Sequence, residues 1–298
     1  MYTIVGSGFG LYGYLPAIVE SLGERVVLPR AYQARMAARA ELAPLVPRVE
    51  WAGDMQESLE RADTVVIATP PARQVEVARR CLELANVRRL VLEKPPAPTP
   101  AEAVALLADL RRHAKRYRIG YTLLHTAWGL ALRWPVREAG DRVELTWTFM
   151  AHHFAKDLSN WKRRRSEGGG VLRFFGIHLL AFLGTHGYDD VRDSVFEGES
   201  AEEPRRWSAA FQGPAVPPCH VRVDSGAAAG VFRIEAWAGA RASPLIALPD
   251  PFAEEPTIGA HDRRIGALQR LLTSFHEDDT RYLSLYEKVN RLWAEAEA

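Results

Sequence analysis

Ile4-Val5-Gly6-Ser7-Gly8-Phe9-Gly10-Leu11 decides how this chain is read. A β-branched run, Tyr2-Thr3-Ile4-Val5, leads into three alternating glycines and then into a helical pattern. In a strand–turn–helix of this kind, Gly6 permits the tight turn and Gly8 lets the backbone approach a pyrophosphate. Phe9 and Gly10 complete the turn, and the helix N-terminus offers free N–H groups and partial positive charge to the anion. Leu11 stands where the usual G-x-G-x-x-G has its third glycine. The context favours a dinucleotide site over an ordinary glycine-rich turn. The motif follows the first strand, and a second strand, Arg25-Val26-Val27-Leu28, ends about twenty residues later.

At the end of that second strand an acidic residue would bind the ribose 2′-OH of NAD. The sequence there is Leu28-Pro29-Arg30. Arg30 is placed to pair with a 2′-phosphate or lie over the adenine, and no carboxylate opposes it. The expected cofactor is therefore NADP, with NAD the alternative. The plain alternative for Arg30 is a solvent-facing residue of an Arg-rich chain.

Further out, Thr64-Val65-Val66-Ile67-Ala68 and Leu90-Val91-Leu92 continue the short apolar strands separated by helical patterns, as in a parallel sheet covered on both faces. Thr99-Pro100-Ala101-Glu102 marks a helix start, with Val104, Leu107, Leu110 and Ala114 expected to face the core. After Tyr121 the period changes to two. Val143, Leu145, Trp147 and Phe149 alternate with polar residues, as do Val221 and Val223, and Phe232, Ile234 and Ala236, which calls for a sheet with one wet face. Gly198 to Gly230, rich in Pro, Gly, Ala and Glu, is expected to hold irregular connections. The C-terminus returns to helix, with Tyr282, Leu285, Val289, Leu292, Trp293 and Ala296 on one side.

The 298 residues allow one large domain or two ordinary ones, and 47% apolar residues supply a substantial core. A net charge of +1 argues against a nucleic-acid binder, although only five of the 38 Lys and Arg are lysine. Cys81 and Cys219 are too few for a disulfide scaffold or a zinc cluster. The Met1 end shows no leader pattern. Gly168 to Gly184, interrupted by Arg173 and His178, is short for a membrane span. The expectation is a cytoplasmic protein with no membrane partner.

Several motifs then coincide. The glycine turn with Leu15-Pro16-Ala17, Ala68-Thr69-Pro70-Pro71 closing one strand and Glu93-Lys94-Pro95 closing another resemble the Gfo/Idh/MocA oxidoreductase family. Trp161, Gly168-Gly169-Gly170 and Gly176-Ile177-His178 follow in the family's order. The resemblance implies an α/β fold: an N-terminal Rossmann dinucleotide-binding domain over residues 1–120, then an α+β domain with an open, largely antiparallel sheet over 121–298 for substrate binding and oligomerisation. A homodimer or homotetramer is expected. It also implies that Thr69, Pro70 and Pro71, with Glu93 and Lys94, line the nicotinamide end of the cofactor. Lys94 corresponds to the lysine that meets the reacting oxygen. His178 corresponds to the second acid–base or substrate-orienting residue, or reads as a core histidine among Phe174, Phe175 and Leu179.

The chain also departs from the family. Members that oxidise sugar hydroxyls carry an Asp four residues before this His, where Phe174 stands here. The segment that usually runs Tyr-Asn-x-Arg-Phe reads Tyr121-Thr122-Leu123-Leu124-His125. His125 either restores a polar group or ends a strand. Trp161, Phe174, His125 and His178 are thus the expected substrate residues, in a more apolar cleft. With no carboxylate partner, Lys94 suits donating a proton to C=O or C=N while hydride arrives from NAD(P)H. The leading expectation is an NADP(H)-dependent reductase acting on a small molecule. An NAD-dependent sugar or cyclitol dehydrogenase and a catalytically silent dinucleotide-binding regulator are the alternatives. His152-His153, on opposite faces of a strand, is assigned no metal. Lys162-Arg163-Arg164-Arg165 reads as a solvated face or as a clamp for an anion.

Overall fold

The computed structural model describes residues 1–256 and 261–298. The chain forms two compact units. The first comprises Met1–Ala97, Glu102–His125 and Glu255–Tyr282; the second comprises Pro98–Ala101, Thr126–Glu254 and Leu283–Ala298. The first unit is therefore not a single stretch ending near residue 120, because a C-terminal segment returns to it.

Six strands build the first unit: β1 (Tyr2–Val5), β2 (Val27–Pro29), β3 (Glu50–Ala52), β4 (Thr64–Ile67), β5 (Arg89–Leu92) and β6 (Arg116–Ile119). β1, β4, β5 and β6 pair in parallel in that order, β2 pairs in parallel with β3, and a parallel bridge between Tyr2 and Val26 joins the two ladders. The resulting order, β3-β2-β1-β4-β5-β6, is the doubly wound arrangement. Its direction of winding reverses between β1 and β4, which opens a crevice at their carboxyl ends. β1 and β4 are buried along their whole length, which is why they read as continuous apolar runs.

The helix Pro100–Arg112 starts where its Thr-Pro-x-Glu signature places it. Its buried face is Ala103, Leu106, Leu107 and Leu110, spaced i, i+3, i+4, i+7. Val104 is half exposed and Ala114 lies past the helix end with φ +50°, so neither belongs to the stripe expected for them. The small Ala103 takes the place that Val104's bulk had suggested. From the returning segment, the helix Ile265–Thr273 adds Ile265, Leu268, Leu271 and Leu272 to the core of Ile4, Leu11, Leu15 and Ile18, with Phe275 beside them. Each such side chain stabilises by about 1.5–3 kcal/mol when fully buried.

The second unit is a six-stranded sheet: β7 (Arg142–Met150), β8 (Asp190–Gly198), β9 (Pro204–Gln212), β10 (Cys219–Asp224), β11 (Gly226–Ala238) and β12 (Arg241–Leu248). Its order is β12-β11-β7-β10-β9-β8; only β7 and β10 run parallel. The Gly198–Gly230 stretch is therefore mostly strand rather than irregular. Trp207, Ala209 and Phe211 alternate inward on β9, and Cys219, Val221 and Val223 on β10. The inner face meets the helix Ile177–Thr185 through Trp128, whose ring lies 5.3 Å from Phe182 and 5.0 Å from Phe232. Arg165–Thr185 is long and apolar enough to cross a bilayer, yet most of it is buried inside the protein. Arg173 within it is neutralised by two hydrogen bonds to Glu297, at 2.6 and 2.5 Å.

Candidate active site

Gly6 leaves β1 with φ +124°, a conformation that strains any side chain, and a Cβ there would lie 2.2 Å from the Ala68 carbonyl oxygen. The close approach ties the turn to the end of β4, where the Ala68 N–H donates to the Val5 carbonyl at 2.8 Å. At Gly10 a Cβ would meet Ile4 at 2.6 Å, and at Gly13 it would meet the Phe9 ring at 2.4 Å. Gly10 and Gly13 therefore supply the close packing expected of the missing third glycine, and Leu11 is buried in the core. Gly8 differs: nothing stands within 4 Å of its Cβ position. Packing does not require a glycine there. The open space is what close approach by a pyrophosphate needs, so the turn fits the dinucleotide.

The chain then runs into a helix wound partly to i→i+5 bonds over Gly10–Tyr14 and Ala17–Ser21. Polar groups gather around the turn. The Gly6 N–H donates to the Tyr32 hydroxyl at 3.0 Å. Arg35 donates to the Ser7 carbonyl at 3.2 Å and to Ser7 Oγ at 2.5 Å. The Arg264 guanidinium lies 4.1 Å over the Phe9 ring. Arg30 is exposed at the start of the short helix Arg30–Tyr32. Sequence carries no motif for Tyr32 and Arg35, whose one signal is their place in the first residues after β2.

At the carboxyl end of β4, Thr69 and Pro70 precede the helix Pro71–Leu82, with Pro71 in its first turn. On neighbouring β5, Glu93-Lys94-Pro95 follows, with a cis bond between Lys94 and Pro95. Gln74, fully buried on that helix, holds this turn. Its Oε1 accepts the Glu93 N–H at 2.8 Å, while Nε2 lies 2.7 Å from the Glu93 carbonyl and 3.1 and 3.2 Å from those of Pro95 and Pro96. The Tyr14 hydroxyl donates to Glu93 Oε1 at 2.6 Å. Burial pushes the Glu93 carboxyl above its ordinary range; the Lys94 charge, the Tyr14 hydrogen bond and the Arg264 charge pull the other way. Neither Gln74 nor Tyr14 carries a motif that sequence reading could have used.

His178, Phe174 and Trp161 belong to the second unit, where Phe174 lies in the wide turn Leu172–Gly176 and buried His178 begins the next helix. Trp161 packs edge-on to Phe174 at 5.4 Å, and Lys162 Nζ lies 5.3 Å from the same ring. Phe175 is 4.7 Å from Phe174 and stacks on His153 at 6.0 Å. The other members of the basic run face carboxylates: Arg163 pairs with Asp157 and Glu203, Arg164 with Glu167, and Arg165 with Glu297. His152 and His153 lie on a short helix, His152–Ala155, not on a strand. Among the described residues no cluster of His, Cys, Asp and Glu could hold a metal.

His125 lies in the first unit, buried, with the charges of Arg281, Arg270 and Arg118 acting on it. Burial first, and those cations second, push its pKa down to about 3, which keeps it neutral at ordinary pH. Its carbonyl accepts from Arg270 Nε. The structure thus sets His125 among arginines of the first unit, apart in sequence and in unit from Trp161, Phe174 and His178.

Residues 1–121 match the model of an oxidoreductase family with an NAD-binding Rossmann fold. Solved structures share the whole fold. The myo-inositol dehydrogenase of Corynebacterium glutamicum is 13% identical, with TM-score 0.69, covering 100% of this chain and 94% of its own. The WlbA dehydrogenase of Bordetella pertussis, solved with NADH and UDP-GlcNAcA, is 14% identical, with TM-score 0.65 and coverage of 97% and 96%. A Gfo/Idh/MocA family oxidoreductase of Vibrio cholerae is 14% identical, with TM-score 0.68 and coverage of 99% and 96%. A search of curated protein sequences found no match. Residues 1–121 thus match the NAD-binding Rossmann domain of the Gfo/Idh/MocA oxidoreductase family, and the solved structures share the fold of the whole chain.

Proposed function

We propose that this protein is an NADP(H)-dependent oxidoreductase that reduces a carbonyl or imine carbon of a small molecule, with Lys94 as proton donor. One observation carries the reading. The open phosphate turn at Gly8 and the braced Glu93-Lys94-Pro95 turn follow β1 and β5, at the same carboxyl edge of one parallel sheet. When bound, the dinucleotide supplies the hydride. Backbone N–H groups past Gly8 would hold its pyrophosphate, and Thr69, Pro70 and the Glu93 turn would hold its nicotinamide end. Gln74 fixes the backbone from which Lys94 extends, so the ammonium meets the substrate heteroatom from a set origin. Lys94 then gives a proton to that oxygen or nitrogen.

Preference for NADP is supported by the absence of a carboxylate at the end of β2 and by Arg35 beside Ser7, with Arg30 exposed nearby. Trp161 and Phe174, with Lys162 over the latter, support a planar, less hydroxylated substrate that His178 helps to orient. The second reading, an NAD-dependent sugar or cyclitol dehydrogenase, draws support from the fold it shares with the inositol and UDP-sugar enzymes. Fluorescence titration with NADPH and NADH, followed by oxidation of bound NADPH against panels of carbonyls, imines and polyols, separates them. Turnover lost in Lys94→Ala with NADPH binding intact is the expected result; turnover on polyols with NAD favours the second reading. Tight binding without any turnover points to a silent regulator. Cytoplasmic location and a homodimer or homotetramer belong to the same proposal, the second testable by sedimentation.

A further inference from the structure

At the amino ends of β4, β5 and β6, away from the glycine turn, the first unit holds a cavity of about 520 Å3. Arg61, Arg88, Arg89 and Arg116 line it, with Asp63 as the one carboxylate. Three of these guanidinium groups are fixed by bonds of their own. Arg116 donates Nε and Nη2 to Asp279 at 2.6 and 3.0 Å, and Nη2 also to the Phe275 carbonyl at 2.7 Å. Arg61 pairs with Glu50 at 2.5 Å and with Glu57 at 3.3 Å, and Arg89 donates Nη2 to Asp63 at 2.7 Å. Such bonds cost no further ordering when a ligand arrives, and they leave N–H donors over, Nη1 of Arg116 and Nε and Nη1 of Arg89 among them. Arg88 is exposed, and none of the described residues bonds to its side chain.

The carboxylates do not cancel this charge, because they are shared. Glu50 also pairs with Arg25, Asp279 with buried Arg118, and Asp63 with the Met1 amino group. Asn86 Nδ2 donates to the Leu59 and Ala62 carbonyls, at 2.8 and 2.7 Å, at the end of the helix Met55–Arg61. It thereby covers carbonyls whose partial negative charge would repel an anion. Among the described residues of the lining only Ala62 is apolar, so the walls offer donors and charge but little to hold a base or a ring.

We propose that this cavity is a second anion site, taking a compact polyvalent oxyanion of the pyrophosphate type. Guanidinium groups bind phosphate oxygens through paired N–H donors, and the volume is that of a small-molecule site. The site stands apart from the crevice: β4 and β5 each rise about 13 Å before they reach the Thr69 and Glu93 turns. It depends neither on the reaction proposed above nor on a bound dinucleotide.

The test is calorimetric titration of the full protein with sodium pyrophosphate in a metal-free buffer of low ionic strength. Saturable binding with a dissociation constant below about 1 mM is expected; weaker binding overturns the site. Arg88→Gln removes a side chain that carries no bond, so the melting temperature should stay near wild type. Pyrophosphate affinity should fall by roughly tenfold or more, the worth of a charge-assisted hydrogen bond. Undiminished affinity in Arg88→Gln overturns the proposal. Pyrophosphate can also enter the glycine turn, and Gly8→Ala separates the two places. The Arg88-dependent binding should survive in Gly8→Ala; binding lost there but kept in Arg88→Gln assigns the anion to the turn and overturns the second site.

Discussion

Gln74 grips Glu93 by both of its peptide groups, accepting from the N–H at 2.8 Å and donating to the carbonyl at 2.7 Å. A side chain from one helix thereby copies the ladder bonds that a further strand would have made. Because the amide is fully buried, removing it leaves polar backbone unsatisfied, which costs about 1–3 kcal/mol per group. Gln74→Leu is expected to destabilise the protein by about 2 kcal/mol or more in denaturant unfolding. Under native conditions it should lower kcat while leaving the NADPH dissociation constant within a factor of about two.

The glycines of the first turn should separate in their effects. Gly6→Ala forces a Cβ against the Ala68 carbonyl at a positive φ, and should cost about 1–3 kcal/mol or more in stability as well as cofactor binding. Gly8→Ala meets no protein atom, so its melting temperature should stay near wild type while dinucleotide affinity drops by roughly tenfold or more. Calorimetry of each variant with and without NADPH checks both halves.

Arg35, bonded to Ser7, is expected to outweigh exposed Arg30 in choosing the cofactor. Arg35→Ala should weaken NADPH by roughly tenfold or more, the worth of a charge-assisted hydrogen bond, and leave NADH nearly unchanged. Equal losses for both cofactors would mean that Arg35 only braces the turn.

Buried His125 makes stability depend on pH. Its folded pKa, about 3, lies below the ordinary value of 6.5, so the unfolded chain takes up a proton first as pH falls. Its contribution is therefore complete above about pH 6.5 and is lost progressively down to about pH 3. Between pH 7 and 5 the protein should lose about 2 kcal/mol through this residue. His125→Gln should show a flatter acid limb in urea unfolding over the same interval; an unchanged limb would assign the acid sensitivity elsewhere, with half-buried His186, also pushed down by burial to about 4, the next candidate.

Much of this fold was legible where local pattern and burial agree. β1 and β4 read as buried strands because both their faces are covered, and β7 because one is. Pattern failed where small residues pack as core. Ala103 displaced Val104, and Ala209 between Trp207 and Phe211 hid β9 inside a stretch that composition alone made a loop. At the candidate site the glycines and the Glu93-Lys94-Pro95 turn announce themselves by spacing. Gln74, Tyr14, Tyr32 and Arg35 do not, because their importance lies in partners that are 19 to 79 residues distant along the chain. His125 reads from sequence either as a polar group or as the end of a strand, and only folding shows the cations that act on it.

The return of Glu255–Tyr282 to the first unit has a bearing on how the protein is made. Ile4 and Phe275 share one core, and Arg118 on β6 is buried against Asp279, with its guanidinium stacked 3.9 Å from the Tyr282 ring. On the ribosome, β1 must therefore wait for the codons of the helix Ile265–Thr273 before its apolar surface is shut. A fragment cut after His125 would be born with that surface open, and should need chaperones or a co-expressed tail to stay in solution.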